Sequence, residues 1–269
     1  MTQTNDPVDL GIRQFGDAWR ALCESVPQPV LDTADGLDYV FSGLPIAFFN
    51  AAIVTGRSVS APALAAAATD TAAWAGDKHV PYLFVVTHEA LVDTVDAAAV
   101  LADRGFAPVM PLTGMMARRI APSTRQPDGL QLVVPDDEAG CSALLDVNAV
   151  AYGMDLEAGK PALGRPDFWN GRHVPVLGLA GGKPVSSSAV WMVDGYRYVA
   201  LVATDPACQR RGYAEAAMRH SLDVAAARYG EQPSVLHATD AGRPIYARMG
   251  YDTISHHTLF MEQRFLEGH

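Results

Sequence analysis

The chain has 269 residues, 49% of them hydrophobic and 19% charged, with 20 basic and 30 acidic side chains and a net charge of −10. That composition excludes wholesale disorder, and the absence of a basic block excludes a surface built to neutralise a nucleic-acid backbone. At roughly 150 residues per domain, the length suggests about two domains. The cysteines Cys23, Cys141 and Cys208 are odd in number and far apart, so neither a disulfide framework nor a zinc site is expected. The run Ala61 to Ala75 is broken by Thr69, Asp70 and Thr71 and is too short for a bilayer. Met1 to Leu10 is polar and acidic, without the apolar core of a signal peptide. A cytoplasmic protein with neither a membrane nor a nucleic-acid partner is expected.

In chain order, Leu10 to Val26 reads as a helix, and Tyr39 to Ser42 and Phe48 to Thr55 as strands. Ala61 to Ala75 reads as a helix, Tyr82 to Thr87 as a strand and Ala90 to Arg104 as a helix. Gly105-Phe106 then leads into strand through Arg119. The Pro/Ser/Arg/Gln/Gly stretch Ala121 to Gly129 reads as a linker between two apolar halves.

Beyond it, Leu130 to Val134 reads as a strand and Ala139 to Gly153 as a helix. Val174 to Ala180, Pro184 to Val193 and Tyr196 to Thr204 form a predicted antiparallel meander. Its turns, Gly181-Gly182 and Asp194-Gly195, supply the positive φ of tight hairpins. A helix follows with small or apolar residues at Ala214, Ala217, Met218, Ser221, Leu222 and Ala225, stopped by Gly230. Val235 to Thr239 reads as a strand, Pro244 to Met249 as a short helix, and Thr258 to Glu262 as the closing strand. The apolar strand ending at Thr87 and the later Gly105-Phe106 echo the strand ending at Thr239 and Gly250-Tyr251, which points to two related units.

The strand-to-helix passage from Val202 to Ala214 carries the chemistry. The first N–H groups of a helix lack intrahelical partners, and about half a positive charge gathers there, so a pyrophosphate fits such a place. Gly212 lets backbone and phosphate approach, Ala214 is small for the same reason, and Arg210 and Arg211 add charge. An ordinary polar loop is the alternative on this spacing alone.

Gln209-x-x-Gly212-x-Ala214 resembles the Gln/Arg-x-x-Gly-x-Gly/Ala signature of GCN5-related N-acetyltransferases (GNATs). Leu201 to Pro206 is similar to the family's strand entering that loop. Leu236 to Thr239, with Gly242 through Tyr251, resembles its second motif. The resemblance covers about residues 130 to 262. It implies tandem GNAT-like α/β domains, each a mostly antiparallel mixed sheet flanked by helices. Residues 1–122 would be a degenerate copy, 123–129 a linker and 130–269 the acetyl-CoA-binding domain. In the first half no such signature follows the strand ending at Thr55.

By the same resemblance, Leu201, Val202 and Ala203 would bond the pantetheine arm. Gln209, Arg210, Arg211, Gly212, Tyr213 and Ala214 would hold the pyrophosphate. Thr239 stands where many members carry an Asn that contacts the cofactor. Tyr246 stands at the general acid, where a phenol of pKa about 10 can protonate a leaving thiolate. Many members place a Glu on the preceding strand, but Tyr198 to Thr204 has no carboxylate. The base is therefore open, with Asp155, Glu157 or His173 through water as candidates. Phe168 and Trp169 would wall the acceptor pocket or pack in the core. Cys208 reads as an incidental thiol. His256 and His257 alternate across a strand and cannot easily share a metal. No metal is expected.

The implied function is an acetyl-CoA-dependent N-acetyltransferase working by direct transfer in a ternary complex. The acceptor is a small amine, amino acid, aminoglycoside or protein lysine, with a small molecule favoured, and the protein a monomer or homodimer. The alternative is a non-catalytic acyl-CoA-binding or sensing protein.

Overall fold

The computed structural model describes residues 6–23, 26–123, 127–169 and 172–266. Part of the expected linker, residues 124–126, lies outside them. In chain order the elements are α1 (Pro7–Cys23), β1 (Val30–Ala34), β2 (Leu37–Phe41), β3 (Asn50–Val54), α2 (Ala61–Trp74), β4 (Leu83–Thr87), α3 (Ala97–Ala102) and β5 (Phe106–Ala117). Next come β6 (Leu130–Val133), α4 (Glu138–Tyr152), the short α5 (Lys160–Leu163) and α6 (Pro166–Trp169), β7 (His173–Ala180), β8 (Lys183–Val193) and β9 (Tyr196–Thr204). The chain closes with α7 (Tyr213–Tyr229), β10 (Ser234–Ala238), α8 (Arg243–Arg248) and β11 (Asp252–Glu262).

Two compact units result. One takes the described residues up to Met115, together with His237–Pro244 and those from Asp252 on. The other takes Met116–Leu236 and Ile245–Tyr251. In the first, the strands lie in the order β1-β2-β3-β4-β11-β5. The chain's last strand therefore joins the sheet of its first half, pairing antiparallel with β4 through His257 opposite Thr87 and Phe260 opposite Phe84. Phe260 enters a core with Phe41, Tyr82, Phe84, Leu101 and Phe106. Helix α1 packs on β2, β3 and β11. Gly11 permits that approach, because a Cβ there would overlap the Ser255 hydroxyl.

The helix expected over Ala90 to Arg104 is confined to α3. Its first residues are drawn instead into an isolated parallel bridge, Val59 with Leu91, in which the Val59 N–H donates to Ala90 O and the Val92 N–H to Val59 O. The β-branched Val92, Thr94 and Val95 suit extended backbone, and Asp96 caps α3 by accepting from the Ala99 N–H. The edge strand β1, fully exposed, carries no alternating pattern that would have marked it.

The second unit holds the predicted meander, in the order β10-β9-β8-β7-β6. Gly181, Gly182, Asp194 and Gly195 all have positive φ, as tight hairpins require. Asp137 caps α4 by accepting from the Gly140 N–H at 2.7 Å, and Gly153 ends it in the left-handed conformation. The Arg197 side chain, 2% exposed, donates to Glu231 at 2.8 Å and to Leu222 O at 3.3 Å, anchoring the start of β9.

Two buried histidines, His173 and His257, and the half-buried His237 make the fold sensitive to acid. In the first unit the His257 Nδ1 and Nε2 lie 2.9 Å from Thr87 Oγ1 and 2.7 Å from Ser255 Oγ, and the His237 ring meets it edge-on at 4.7 Å. In the second, His173 sits among Phe168, Trp169 and Trp191. Burial lowers His237 to about 3 and His173 to about 4, and drives His257 well below its usual value. Above pH ~6.5 all three are neutral whether folded or unfolded; below it only the unfolded chain takes up their protons. Stability is therefore lost as pH falls from ~6.5 toward the folded values, at about 1.4 kcal/mol per pH unit for each histidine. At pH 5 that is about 2 kcal/mol each for His173 and His237. Urea unfolding at pH 7.5 and pH 5 checks the loss. His173→Phe, which suits the aromatic surroundings, is expected to make the second unit's dependence shallower by one histidine's share. An unchanged slope would contradict that assignment.

Candidate functional site

The candidate site lies in the second unit, where β9 parts from β10 while it stays paired with β8. The parallel β9–β10 ladder covers only Arg197 opposite Ser234 and Tyr198 opposite Val235. On the other side, the register with β8 slips between Ser187 and Ala189, so that Ala203 faces Ser187 while Ala200 faces Ala189. The extra residue is accommodated by Leu201, at φ 51°. A branched side chain at positive φ costs roughly 1–2 kcal/mol, so this bulge must be held. Ser187 Oγ donates to Leu201 O at 2.8 Å, Asn148 Nδ2 reaches Ser187 Oγ at 2.9 Å and Leu201 O at 3.5 Å, and the Tyr152 hydroxyl donates to Val202 O at 2.6 Å.

Downstream, the Asp205 carboxylate accepts from the Ala207 N–H at 2.8 Å and the Cys208 N–H donates to Asp205 O at 2.7 Å. Arg210, at φ 62°, and Gly212, at φ 82°, then put two left-handed residues into the loop, the kind of geometry that gathers backbone N–H groups into an anion-binding concavity. Gly212 is the N-cap of α7, and no side chain caps this helix. The first intrahelical bond at this end runs from the Ala216 N–H to Gly212 O. Gln209, Arg210 and Arg211 are exposed around the loop, Gly212 and Ala214 are half-buried, and Tyr213 is buried.

The corresponding helix start in the first unit is built differently. Ser60 caps α2 by accepting from the Ala63 N–H at 3.4 Å, and Pro62 contributes no N–H. Arg57 is engaged by Asp6 and Asp9, at 3.5 Å each.

Tyr246 is half-buried on α8, its ring 6.1 Å from that of Tyr251, whose hydroxyl lies 2.5 Å from Ser234 Oγ. Burial, with smaller contributions from Tyr152 and Tyr251, raises the Tyr246 phenol above its ordinary value, so it keeps its proton at neutral pH. Thr239 belongs to the first unit, where its Oγ1 accepts from the Gly242 N–H at 3.4 Å in its own turn. Of the base candidates, Asp155 accepts from the Glu157 N–H and Glu157 pairs with Lys160 at 2.6 Å. His173 stands opposite Trp191, which stands opposite Tyr198. It is thus two strands over and about 10 Å along the sheet from the bulge, at ~3.3 Å per residue. Phe168 and Trp169 pack around His173, and the Trp169 Nε1–H donates to Leu163 O.

Sequence reasoning passed over Ser187, Asn148 and Tyr152. The available signal was Asn148 on the apolar stripe with Leu144, one turn before Tyr152. A buried amide at such a position needs partners, and here it finds them at the bulge. Among the described residues, no cluster of His, Cys, Asp and Glu suits a metal ion, and no helix is long and apolar enough to cross a membrane.

Residues 195–254 match the acetyltransferase (GNAT) domain model. No curated protein sequence matches the chain. Among solved structures, it is similar to a GCN5-related N-acetyltransferase from Kribbella flavida, with 18% identity, a TM-score of 0.69 and coverage of 94% of this chain and 95% of that one. It is also similar to one from Sphaerobacter thermophilus, with 16% identity, a TM-score of 0.56 and coverage of 79% and 71%. A tandem GNAT protein from the clavulanic acid biosynthesis pathway aligns at 13% identity and a TM-score of 0.53, over 94% of each chain.

Proposed function

We propose that this chain, which carries a GNAT domain and has the fold of GCN5-related N-acetyltransferases, transfers acetyl from acetyl-CoA to an amine acceptor, directly and within a ternary complex. The observation that carries the reading is the uncapped N-terminus of α7 behind the Arg210–Gly212 loop, at the end of a strand that has parted from β10. The pyrophosphate would sit on the N–H groups at the start of α7, with Arg210 and Arg211 beside it. The pantetheine arm would lie along Leu201, Val202 and Ala203.

Acetyl-CoA supplies the activated acyl group as a thioester. The chain's residues hold that thioester and the amine together, which accounts for much of such a rate enhancement. Backbone N–H groups at the bulge polarise the carbonyl. As the amine nitrogen bonds to the carbonyl carbon, the C–S bond breaks, and Tyr246 gives its proton to the departing sulfur. The proton lost by the amine leaves through water.

The first unit serves as a degenerate copy on this reading, since Ser60 takes up the Ala63 N–H and Pro62 has no N–H to offer a phosphate. Its cavity of about 620 Å³, lined by Glu89, Asp93, Asp96, His88 and Phe260, gathers carboxylates that repel one. The protein acts as a soluble enzyme on a small-molecule amine.

Incubation with acetyl-CoA and a panel of amines, reading free thiol and acylated product together, is expected to give equal amounts of both. Tight acetyl-CoA binding with no thiol release from any acceptor would instead favour an acyl-CoA-binding or sensing role, a reading that the carboxylate-free β9 keeps in play.

A further inference from the structure

We infer that Tyr152 is a positioning residue for acyl transfer, fixing Val202 at the bulge of β9 so that its N–H is presented to the acyl carbonyl; this rests on the acyl-transfer reading above. At the bulge, two consecutive carbonyls are held by side chains. Leu201 O accepts from Ser187 Oγ and Asn148 Nδ2, and Val202 O accepts from the Tyr152 hydroxyl at 2.6 Å. Asn148 and Tyr152 are four residues apart on α4 and so lie on one face of it. Asn148 is tied down further by donating to Leu144 O at 2.8 Å within its own helix.

The peptide bond is planar and trans, so each C=O points opposite to the N–H of the following residue. Drawing Leu201 O toward Ser187 and Asn148 therefore turns the Val202 N–H the other way, and the Tyr152 hydroxyl fixes the same residue from its carbonyl side, where Ala203 stands opposite Ser187 in the ladder with β8. The Val202 N–H belongs to the stretch of β9 beyond its two-residue ladder with β10. Stabilisation of a developing oxyanion depends on donors that are already aimed, and small misalignments are expensive in rate. Tyr152→Phe removes this contact on Val202 O by deleting a single atom. The residue is 47% exposed, so the core does not depend on it. Sitting at the last residue of α4, just before Gly153 at φ 64°, Tyr152 is carried on a terminated helix rather than a loose loop.

The test is Tyr152→Phe in the full chain, with acetyl-CoA and its 1-¹³C-acetyl form as probes. Turnover is expected to fall about 10-fold, below the ~10²–10³ of losing an oxyanion donor outright, with acetyl-CoA affinity nearly unchanged. Infrared difference spectra should show the labelled carbonyl of bound acetyl-CoA shifted to lower frequency in wild type. In the variant it should move back toward the free value. A merely structural residue would leave that frequency alone. Wild-type turnover and wild-type carbonyl frequency in Tyr152→Phe would overturn this inference while leaving the acyl-transfer reading intact. Failure of the wild-type protein to bind acetyl-CoA would overturn both.

Discussion

Tyr246→Phe is expected to lower turnover by about 10²–10⁴-fold while leaving acetyl-CoA affinity nearly unchanged. The loss corresponds to roughly 3–5 kcal/mol of transition-state stabilisation. The substitution removes one oxygen and keeps the ring, so the edge-on packing against Tyr251 survives. Burial holds the phenol in its protonated form, which is the form that can donate to a leaving thiolate. The proton is needed only as the C–S bond breaks, so its removal should appear in kcat rather than in binding. Steady-state kinetics beside a binding titration separate the two. A variant with wild-type turnover would mean that water protonates the sulfur. A steep fall in affinity would make Tyr246 a binding residue instead.

Gly212→Glu is expected to abolish measurable acetyl-CoA binding. Nothing lies within 4 Å of a Cβ built at Gly212, so the side chain has room. What it brings is a carboxylate at the N-terminus of α7, where a pyrophosphate would sit, and a φ of 82° that an L-residue adopts at a cost of roughly 1–2 kcal/mol. Gly212→Ala carries the same backbone cost without the charge. Two unit charges 4 Å apart repel by about 4 kcal/mol at an effective dielectric of 20, a thousandfold in affinity. Ala should thus bind acetyl-CoA far better than Glu at comparable melting temperatures. Equal affinities for the two variants would move the phosphate seat elsewhere.

Much of the second unit was legible because its signals are local. Gly181-Gly182 and Asp194-Gly195 mark hairpins by positive φ alone, and Gly212 and Gly230 bracket α7. The loop entering α7 was legible for the same reason: its features lie within the six residues from Gln209 to Ala214. What was not legible depends on partners far away in sequence. The period-2 pattern of β11 announces a strand but not its neighbour, and β4 lies about 170 residues upstream. The helix expected from Ala90 was shortened because Leu91 found Val59. The bulge at Leu201 leaves no trace in composition. It exists because Ser187, Asn148 and Tyr152, from β8 and α4, reach its carbonyls.

The central claim is that the start of α7, and not the start of α2, forms the acyl-CoA seat. Calorimetric titration of the full chain with acetyl-CoA tests it most directly. One site per chain is predicted, because α7 begins on an uncapped Gly212 whereas Ser60 and Pro62 close the start of α2. Two sites per chain, or none, would contradict it.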